Sequence, residues 1–174
     1  DASVTFKDAY DYETQHLYDE QDRLIKQIYP DGTSEEYAYD DDNNRTYYKD
    51  QAGAEWHWTY DDRGNRLTAD GPLGSHKAWE YNAQNHVVSM QERIDANTTR
   101  AFTFEYDDAS NVVKVCMPLQ DCATIQYDGR GLATHFYDLA NHLTLNEYDG
   151  EGDLVAVTNA QGATTRFEHD GLGR

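Results

Sequence analysis

The sequence predicts an all-β protein, an antiparallel sheet built from about seven 21-residue β-hairpin repeats. Three observations support this fold class. A Tyr-Asp marker recurs at nearly constant spacing, two turn-forming positions follow each marker, and the segments between the turns alternate in polarity. A constant period of this length indicates a repeat array. Helices are not expected, because no long segment combines apolar residues at helical spacing with a preceding cap.

The marker occurs eight times along the chain. Seven copies begin with a tyrosine followed by Asp or Asn, and His169-Asp170 takes the place of the eighth. The tyrosines are Tyr18, Tyr39, Tyr60, Tyr81, Tyr106, Tyr127 and Tyr148. Markers are 21 residues apart, except that 25 residues separate Tyr81 from Tyr106. We therefore divide the chain into an incomplete N-terminal repeat (1–17), the complete repeats (18–168) and the start of a truncated repeat (169–174).

Each repeat contains two predicted turns. The first lies four residues after the marker, at Asp22, Asn43, Gly64, Asn85, Ser110, Gly131 and Gly152. The second lies fourteen residues after it, at Gly32, Gly53, Gly74, Asp95, Gln120, Asn141 and Gly162. Gly, Asn and Asp tolerate positive φ or form Asx turns. Two turns per repeat leave two short strands, so each repeat is predicted to be one β-hairpin followed by a turn into the next hairpin.

One side-chain column indicates which face of the sheet packs. Segments such as "AEWHWTY" (54–60) and "RAFTFEY" (100–106) alternate with the period of two that is typical of half-buried strands. The positions two residues before the markers therefore share a face with the marker tyrosines. They are His16, Tyr37, Trp58, Trp79, Phe104, Ile125, Asn146 and Phe167, which we call the aromatic stripe. We expect the stripe to hold neighbouring hairpins together; the alternative is a platform for a ligand.

Composition agrees with a thin sheet that does not enter membranes. Only 38% of the residues are hydrophobic, although 14 are tyrosines, which suits a single layer better than a thick core. No apolar run approaches the roughly 18 residues of a membrane-spanning helix. The chain begins at "DASVTF" without a signal-peptide pattern and stops within a repeat at "HDGLGR". We expect it to be a piece of a longer array.

The net charge of −19 restricts the partners. Nucleic acids require a cationic surface, and anionic membranes repel a negative one, so neither is expected to bind. Negative charge also keeps exposed sheet edges soluble. The charge is expected mainly on a solvated exterior; alternatively, an acidic inner surface would attract a basic polypeptide.

No catalytic, metal or cofactor site is predicted. The acidic segment "YDDDNNR" (39–45) has oxygen atoms that calcium favours, but it lacks the EF-hand spacing. Its aspartates are expected to cap turns, with a calcium site as the alternative. The seven histidines show no zinc-binding pair, and no nucleophile elbow or phosphate loop is present. Carboxylate pairs are expected by chance among 33 acidic residues.

The two cysteines, Cys116 and Cys122, flank the second turn of one repeat in "VCMPLQDCAT" (115–124). The ends of a hairpin loop bring Cβ atoms close enough for a disulfide. We expect a disulfide, which would fit an exported protein. Two free, buried thiols are the alternative.

Three segments carry a resemblance to a known family. They are "YDEQDRLIKQIYPDGTSEEYAYD" (18–40), "YDDRGNRLTADGPLGSHKAWEYN" (60–82) and "YDGEGDLVAVTNAQGATTRFEHDGLGR" (148–174). Their Tyr-Asp start, Gly-Arg-Leu-like segment, central glycine and closing aromatic pair resemble RHS or YD repeats. The resemblance covers about residues 18–174. The family includes bacterial Rhs effectors and wall-associated proteins, the C component of toxin complexes and animal teneurins.

The resemblance implies a curved or spiralling β-sheet shell that encloses a C-terminal polypeptide toxin. The implied partners are the remaining repeats of the shell and the enclosed toxin, in a protein that is secreted, displayed on the cell surface or delivered by a secretion system. The self-cleaving Asp-Pro segment of full-length shells is absent from the sequence, since Pro30, Pro72 and Pro118 follow other residues. Self-association through sheet edges is also expected.

Two other functions are compatible with the sequence. The resemblance extends to proteins associated with glycan adhesion, so Trp56, Trp58, Trp79 and Tyr81 are candidate carbohydrate-stacking residues. A glycan-processing enzyme is the more remote alternative. Tryptophans exposed on a concave face would favour sugar binding, whereas tryptophans packed between hairpins would favour a scaffold.

Overall fold

The computed structural model describes residues 2–118 and 121–170. Gln120 of the second turn series, Asp1 of the N-terminal repeat and residues 171–174 of the truncated repeat lie outside the described residues. Sixteen β-strands and one short 3-10 turn form within the described part of the chain, and neighbouring strands are antiparallel. The all-β hairpin-repeat prediction is therefore confirmed. The chain divides into two compact units.

The first unit comprises Asp1–Glu80 and Gln91–Thr99. Its strands pair antiparallel, each with the next in sequence. They are β1 (Ala2–Lys7), β2 (Glu13–Tyr18), β3 (Leu24–Ile28), β4 (Ser34–Tyr39), β5 (Arg45–Lys49), β6 (Glu55–Tyr60), β7 (Arg66–Asp70) and β8 (His76–Tyr81), of which β8 ends with Tyr81 in the second unit. A 3-10 turn, Pro72–Gly74, separates β7 from β8.

The second unit comprises Tyr81–Met90 and Arg100–Arg174. Two strands, β9 (Val87–Arg93) and β10 (Thr99–Tyr106), have residues in both units. The others are β11 (Val112–Cys116), β12 (Cys122–Tyr127), β13 (Ala133–Tyr137), β14 (Leu143–Tyr148), β15 (Leu154–Thr158) and β16 (Thr164–Arg166). From β10 to β16, each strand pairs antiparallel with the next.

The first turn of each repeat has a constant geometry. All seven residues of the first turn series have positive φ, from 58° at Asp22 to 98° at Gly152. In six hairpins the pairing shifts by one residue immediately before the marker tyrosine, for example between Ala38 and Tyr39. Such a shift is a β-bulge, which adds one residue to a strand and increases its twist. The bulge was not predicted from the sequence.

The second turn is less uniform. Gly32, Gly53, Gly74, Asn141 and Gly162 have positive φ, as does Asp11 in the incomplete first repeat. The turn at Gly74 is the Pro72–Gly74 3-10 turn, in which Leu73 also has a positive φ of 59°. Asp95 does not adopt positive φ, because the longer repeat closes its loop through a bend at 95–97.

Within each unit, the face that carries the stripe and the marker tyrosines, here called the packed face, is the less exposed face of the marker strands. Within the described ranges, Ala156 is the only fully buried hydrophobic residue. The stripe residues are half-buried except Phe167, which is 41% exposed. The residues between stripe and marker are exposed at Ala38, Thr59, Glu80, Glu105, Gln126, Glu147 and Glu168. This alternation places the stripe and the marker tyrosines on the same face. None of the described segments forms a helix with the length and hydropathy needed to cross a membrane.

Trp58→Ala should destabilise the protein more than Thr59→Ala on the opposite face. A fully buried Trp→Ala change costs about 3–5 kcal/mol, and we expect about 2–3 kcal/mol because Trp58 is half-buried. Thr59→Ala removes a 2.7 Å hydroxyl contact with Thr68 and should cost about 1 kcal/mol or less. Urea unfolding measures both changes. Equal and negligible losses would contradict the assignment of the packed face.

The chain should also associate more strongly as salt increases. Among the described strands, β1 has a hydrogen-bonded neighbour on one side only, and its Val4 and Phe6 are 45% and 51% exposed. An edge without charged residues over Ala2–Phe6 favours pairing with another strand. Repulsion from the net charge of −19 opposes this and is screened over about 10 Å at 0.1 M salt. Light scattering should show a mass that rises with ionic strength; a constant monomer mass would contradict this expectation.

Candidate functional site

The candidate site is the packed face of the first unit, where aromatic rings stack across three strands. Tyr48 lies directly opposite Tyr37 and Trp56 on its two neighbouring strands. Its ring stacks on both, with centroid distances of 5.3 Å and interplanar angles of 28° and 26°. Trp56 also packs against the backbone of Gly71, where an added Cβ would lie 3.1 Å from Cδ1 of the indole. These rings therefore fasten one hairpin to the next.

A carboxylate joins this stack. The Tyr37 hydroxyl donates to Oε2 of Glu35 over 2.6 Å, and the Tyr48 hydroxyl donates to Oε1 over 3.2 Å. The Tyr37 hydrogen bond is the main reason that the pKa of the Glu35 carboxyl is lowered, with smaller contributions from Tyr29 and Tyr48. Burial and the nearby Glu35 carboxylate raise the pKa of Tyr37 well above its usual range. The ionised carboxylate and the neutral phenols thus stabilise each other, and this cluster was not predicted from the sequence.

Trp58 has a different environment from Trp56. The guanidinium carbon of Arg45, from β5, lies 5.0 Å from the indole centroid, and that of Arg66, from β7, lies at 5.8 Å. Cations attract the negative face of an aromatic ring, and indole gives the strongest such interaction. The ring of Trp58 is therefore used to join β5, β6 and β7, as the stripe interpretation expects.

The four candidate carbohydrate-stacking residues are all half-buried. Trp56 and Trp58 lie on β6, at alternate positions on the packed face, and their rings contact Tyr48 and the two arginines. Trp79 lies on β8 in the first unit, whereas Tyr81 belongs to the second. The contacts of Trp56 and Trp58 are those of a scaffold rather than of open stacking surfaces.

On the opposite face, charged side chains form a ladder. Lys26, Glu36, Lys49 and Glu55 are successive cross-strand partners on β3 to β6. The Lys26 ammonium lies 2.9 Å from Glu36, and that of Lys49 lies 3.9 Å from Glu55. The Lys26 hydrogen bond is the main reason that the pKa of Glu36 is lowered. Because opposite charges face each other across the strands, each direct pair is favourable. The charged face therefore also contributes to the pairing of neighbouring strands.

The second residue of each of the seven tyrosine markers organises the first turn. Its Oδ1 accepts the backbone N–H groups two and four residues later, over 2.8–3.1 Å, in all seven repeats. These residues are Asp19, Asp40, Asp61, Asn82, Asp107, Asp128 and Asp149. Asp8, Asp138 and Asn159 make the same pair of bonds at second turns, and Asp50 makes the bond to the fourth residue.

This network accounts for the acidic segment at 39–45. Oδ1 of Asp40 accepts the N–H groups of Asp42 and Asn44, and Oδ2 accepts the Asn44 side-chain amide over 3.1 Å. Asp40 therefore caps the turn, as the sequence analysis expects. Across residues 2–118 and 121–170, no three His, Cys, Asp or Glu side chains are grouped so that they could hold a metal ion.

The marker hydroxyls connect consecutive repeats. The Tyr39 hydroxyl donates to the carbonyl of Leu24 over 3.1 Å, and the same bond reaches a carbonyl 15 residues upstream from Tyr60, Tyr127 and Tyr148. Tyr106 reaches 19 residues upstream, to Val87, because its repeat is longer. His169 makes an equivalent 2.8 Å contact from Nε2 to the Leu154 carbonyl. The histidine marker thus substitutes for tyrosine in this role.

Two arginines add links between successive first turns. The Arg23 guanidinium bonds to Asp19 within its own turn and donates to the Asp40 carbonyl in the next turn over 2.7 Å. Arg130 donates in the same way to the Asp149 carbonyl over 2.7 Å. These two arginines thus hold successive first turns together.

The structure joins Cys116 and Cys122 in a disulfide. The two residues are direct cross-strand partners on β11 and β12, with Cα atoms 4.0 Å apart. The bridge therefore joins the two strands that flank the second turn of this repeat.

Tyr127→Phe should weaken the link between repeats. The change removes the 2.9 Å hydrogen bond to Val112 and should cost about 0.5–1.5 kcal/mol in the free energy of unfolding. Tyr137→Phe is the matched control, because the half-buried Tyr137 makes no hydrogen bond through its hydroxyl in the described structure. Chemical denaturation of both variants tests this. Equal stability of the two variants would show that the marker hydroxyl is dispensable.

Stability should fall as the pH drops below about 4. The Asn111 side-chain amide is the main reason that the pKa of Asp107 is lowered, and Asn65 acts likewise on Asp61. A carboxyl with a lowered folded-state pKa contributes stability above its unfolded pKa and loses it as the pH falls through the folded value. Asp107→Asn, which keeps the Oδ1 acceptor as Asn82 does, should reduce this acid dependence in urea melts. The exposed neighbour Asp108→Asn is the control, and an unchanged slope in Asp107→Asn would contradict the role of the marker carboxylate.

The cysteines should resist alkylation in the unfolded protein until a reductant is added. Mass spectrometry after denaturation measures this directly, and complete alkylation of Cys116 and Cys122 without reduction would reject the bridge. A loop this short contributes only about 2–3 kcal/mol by chain entropy. Reduction should therefore loosen this hairpin locally without unfolding the array.

The segments that match a known family begin at marker tyrosines. The RHS Repeat family model matches residues 18–48 and 148–174. No curated protein matches the sequence. The crystal structure of TcdB2-TccC3-Cdc42 matches with a TM-score of 0.70 at 15% identity, covering 92% of this chain and 10% of that chain. The Photorhabdus luminescens Tc holotoxin pore, with a mutation in TccC3, matches with a TM-score of 0.68 at 16% identity, covering 89% and 9%.

A third structure, the crystal structure of TcdB2-TccC3, matches with a TM-score of 0.68 at 17% identity, covering 89% of this chain and 10% of that chain. This chain thus spans about a tenth of the length of the solved chains it matches. At these identities the likeness establishes the fold. The chain therefore contains RHS repeats at residues 18–48 and 148–174, and its sheet has the fold of these toxin-complex structures.

Proposed function

We propose that this chain is a structural segment of a bacterial shell that encloses a C-terminal polypeptide toxin, and that it has no catalysis of its own. The observation that carries the proposal is the match of 92% of the chain to a structure containing TcdB2 and TccC3. The partners are then the remaining repeats of the shell and the enclosed polypeptide. The holotoxin-pore match supports a protein that is secreted, displayed at the surface or delivered by a secretion system.

The use of the recurring residues supports a scaffold. The marker hydroxyls bond to the preceding repeat, as in Tyr148 to Ala133, and the marker carboxylates bond to their own turns. Trp56 and Trp58 contact neighbouring strands. A catalytic residue needs a free group that faces a substrate, whereas these groups are engaged with the sheet itself.

The charge distribution bears on how a cargo would be held. The opposite face of the first unit carries the alternating ladder of Lys26, Glu36, Lys49 and Glu55, in which the charges compensate one another. A cargo would then be retained by the surrounding sheet, which excludes proteases and solvent, and by attraction to the net charge of −19. A single binding pocket would contribute less. The proposal therefore concerns enclosure rather than specific recognition.

Carbohydrate binding is a separate proposal, which rests on the resemblance and on the four candidate stacking residues. Its test is a glycan array with the wild-type chain and Trp56→Ala. Loss of a sugar signal in Trp56→Ala, with the signal retained in Thr59→Ala, would favour the adhesion function. Hydrolysis of any glycan by the wild-type chain would contradict the absence of catalysis.

Enclosure is tested in the full protein that carries this segment. Digestion with a non-specific protease should spare the enclosed polypeptide in the wild type. A Trp58→Ala/Tyr60→Phe variant, which loosens β6 by removing the indole and the Tyr60–Arg45 hydrogen bond, should expose it. Thr59→Ala on the opposite face is the matched control. Equal digestion of all polypeptides in the wild type, or protection that persists after deletion of 18–168, would overturn the proposal.

A further inference from the structure

The sequence contains two Asn-x-Thr triplets in different structural settings. They are Asn44-Arg45-Thr46 and Asn97-Thr98-Thr99. This triplet is the acceptor pattern for N-linked glycosylation, which attaches a bulky, solubilising sugar chain to surface loops of exported proteins. The pattern alone does not distinguish the two sites, so their accessibility and their hydrogen bonds decide between them.

Asn97 lies in an exposed loop of the longer repeat. The loop lies between β9 and β10 in the first unit and is closed by the backbone, with Ile94 N–H donating to the Thr98 carbonyl over 2.9 Å. The Asn97 backbone N–H donates to Oδ1 of Asp95 over 2.9 Å. Within the described structure, the Asn97 side-chain amide makes no hydrogen bond. Asn97, Thr98 and Thr99 are all exposed.

Asn44 is held within the fold. It is half-buried, and its side-chain amide donates to Oδ2 of Asp40 over 3.1 Å. Its backbone N–H and carbonyl both bond to Asp40. The following residue, Arg45, begins β5, and its carbonyl accepts the Tyr60 hydroxyl over 2.9 Å. An enzyme could reach this amide only by opening the turn and the start of a paired strand.

We propose that Asn97 is an acceptor site for N-linked glycosylation and that the folded protein excludes Asn44. The inference does not depend on the shell function. The donor is an oligosaccharide linked through pyrophosphate to a lipid, and the catalyst is an oligosaccharyltransferase. The Asn97 amide nitrogen bonds to the anomeric carbon, the bond from that carbon to the phosphate oxygen breaks, the lipid pyrophosphate leaves, and the amide gives up one proton.

Three features fit Asn97 to this reaction. Asn97 is exposed, and its loop is closed by backbone bonds that involve Thr98 rather than by the asparagine side chain. The third residue of the triplet, Thr99, is exposed at the start of β10. The longer repeat has four additional residues, and the Asn97-Thr98-Thr99 triplet begins in its irregular loop.

The test uses the purified, folded chain with an oligosaccharyltransferase and its lipid-linked oligosaccharide. Intact-mass analysis should show the addition of one glycan, and peptide mapping should place it at Asn97. Asn97→Gln should abolish the addition, whereas the matched Asn44→Gln variant should be modified as the wild type is. Glycan at Asn44 in the folded protein would overturn the proposal.

Short peptides covering 41–48 and 94–101 separate the influence of the fold from that of the sequence. Both peptides should accept the glycan, because neither retains the turn bonds that hold Asn44 in the protein. Modification of the 94–101 peptide without modification of the folded chain would show that the loop is closed to the enzyme. Failure of the 94–101 peptide would show that the triplet is not an acceptor; either result overturns the proposal.

Discussion

The hydrogen bonds of the marker carboxylate are the interaction on which the rest of this structure depends. A single oxygen, Oδ1 of Asp61 for example, accepts two backbone N–H groups of a tight turn. In the same turn Gly64 has positive φ, and the register between β6 and β7 shifts by one residue between Thr59 and Tyr60. Next to this shift, the Tyr60 hydroxyl donates to the Arg45 carbonyl of the preceding repeat. Turn, twist and connection between repeats follow from one side chain that recurs in every unit.

The absence of a thick core gives these polar contacts unusual weight. Ala156 is the only fully buried hydrophobic residue in the described parts of the chain, so burial of apolar surface is spread thinly over the half-buried stripe. Ring stacking at Tyr48 and the arginine contacts of Trp58 join neighbouring strands on one face. The ladder from Lys26 to Glu55 does so on the other. Each contact is modest, and stability comes from its repetition.

The sequence was sufficient for the fold because the period, the turn residues and the alternation all repeat. Where one repeat has a weak turn signal, the other repeats still indicate the position of the turn. Ser110 was predicted as a turn residue in this way, although serine alone is a weak turn signal. Features that occur once were not predictable in this way. Asp95 lies in a bend instead of a turn with positive φ, and Leu73 adopts positive φ inside a 3-10 turn. Neither has a counterpart among the other described turns.

The candidate site shows the same division. The face of Trp56 and Trp58 could be predicted from the period of two, but their ring contacts depend on Tyr48, Arg45 and Arg66, which lie on other strands. Glu35 illustrates why: its importance arises from hydroxyls at Tyr37 and Tyr48, brought to it by two different strands. Sequence spacing alone gives no distance between them. The role of His169 likewise becomes evident only from its contact with Leu154.

The pairing of each strand with the next in sequence has a consequence for how the molecule is made. Every link between the strands of the first unit, from β1 to β8, joins segments that are adjacent along the chain. Low contact order of this kind lowers the entropy lost before native contacts form and favours rapid folding. A hairpin is complete as soon as its second strand has been synthesised, and it then offers an edge to the next. The array is therefore suited to vectorial folding on the ribosome, one hairpin at a time, without waiting for distant parts of the polypeptide.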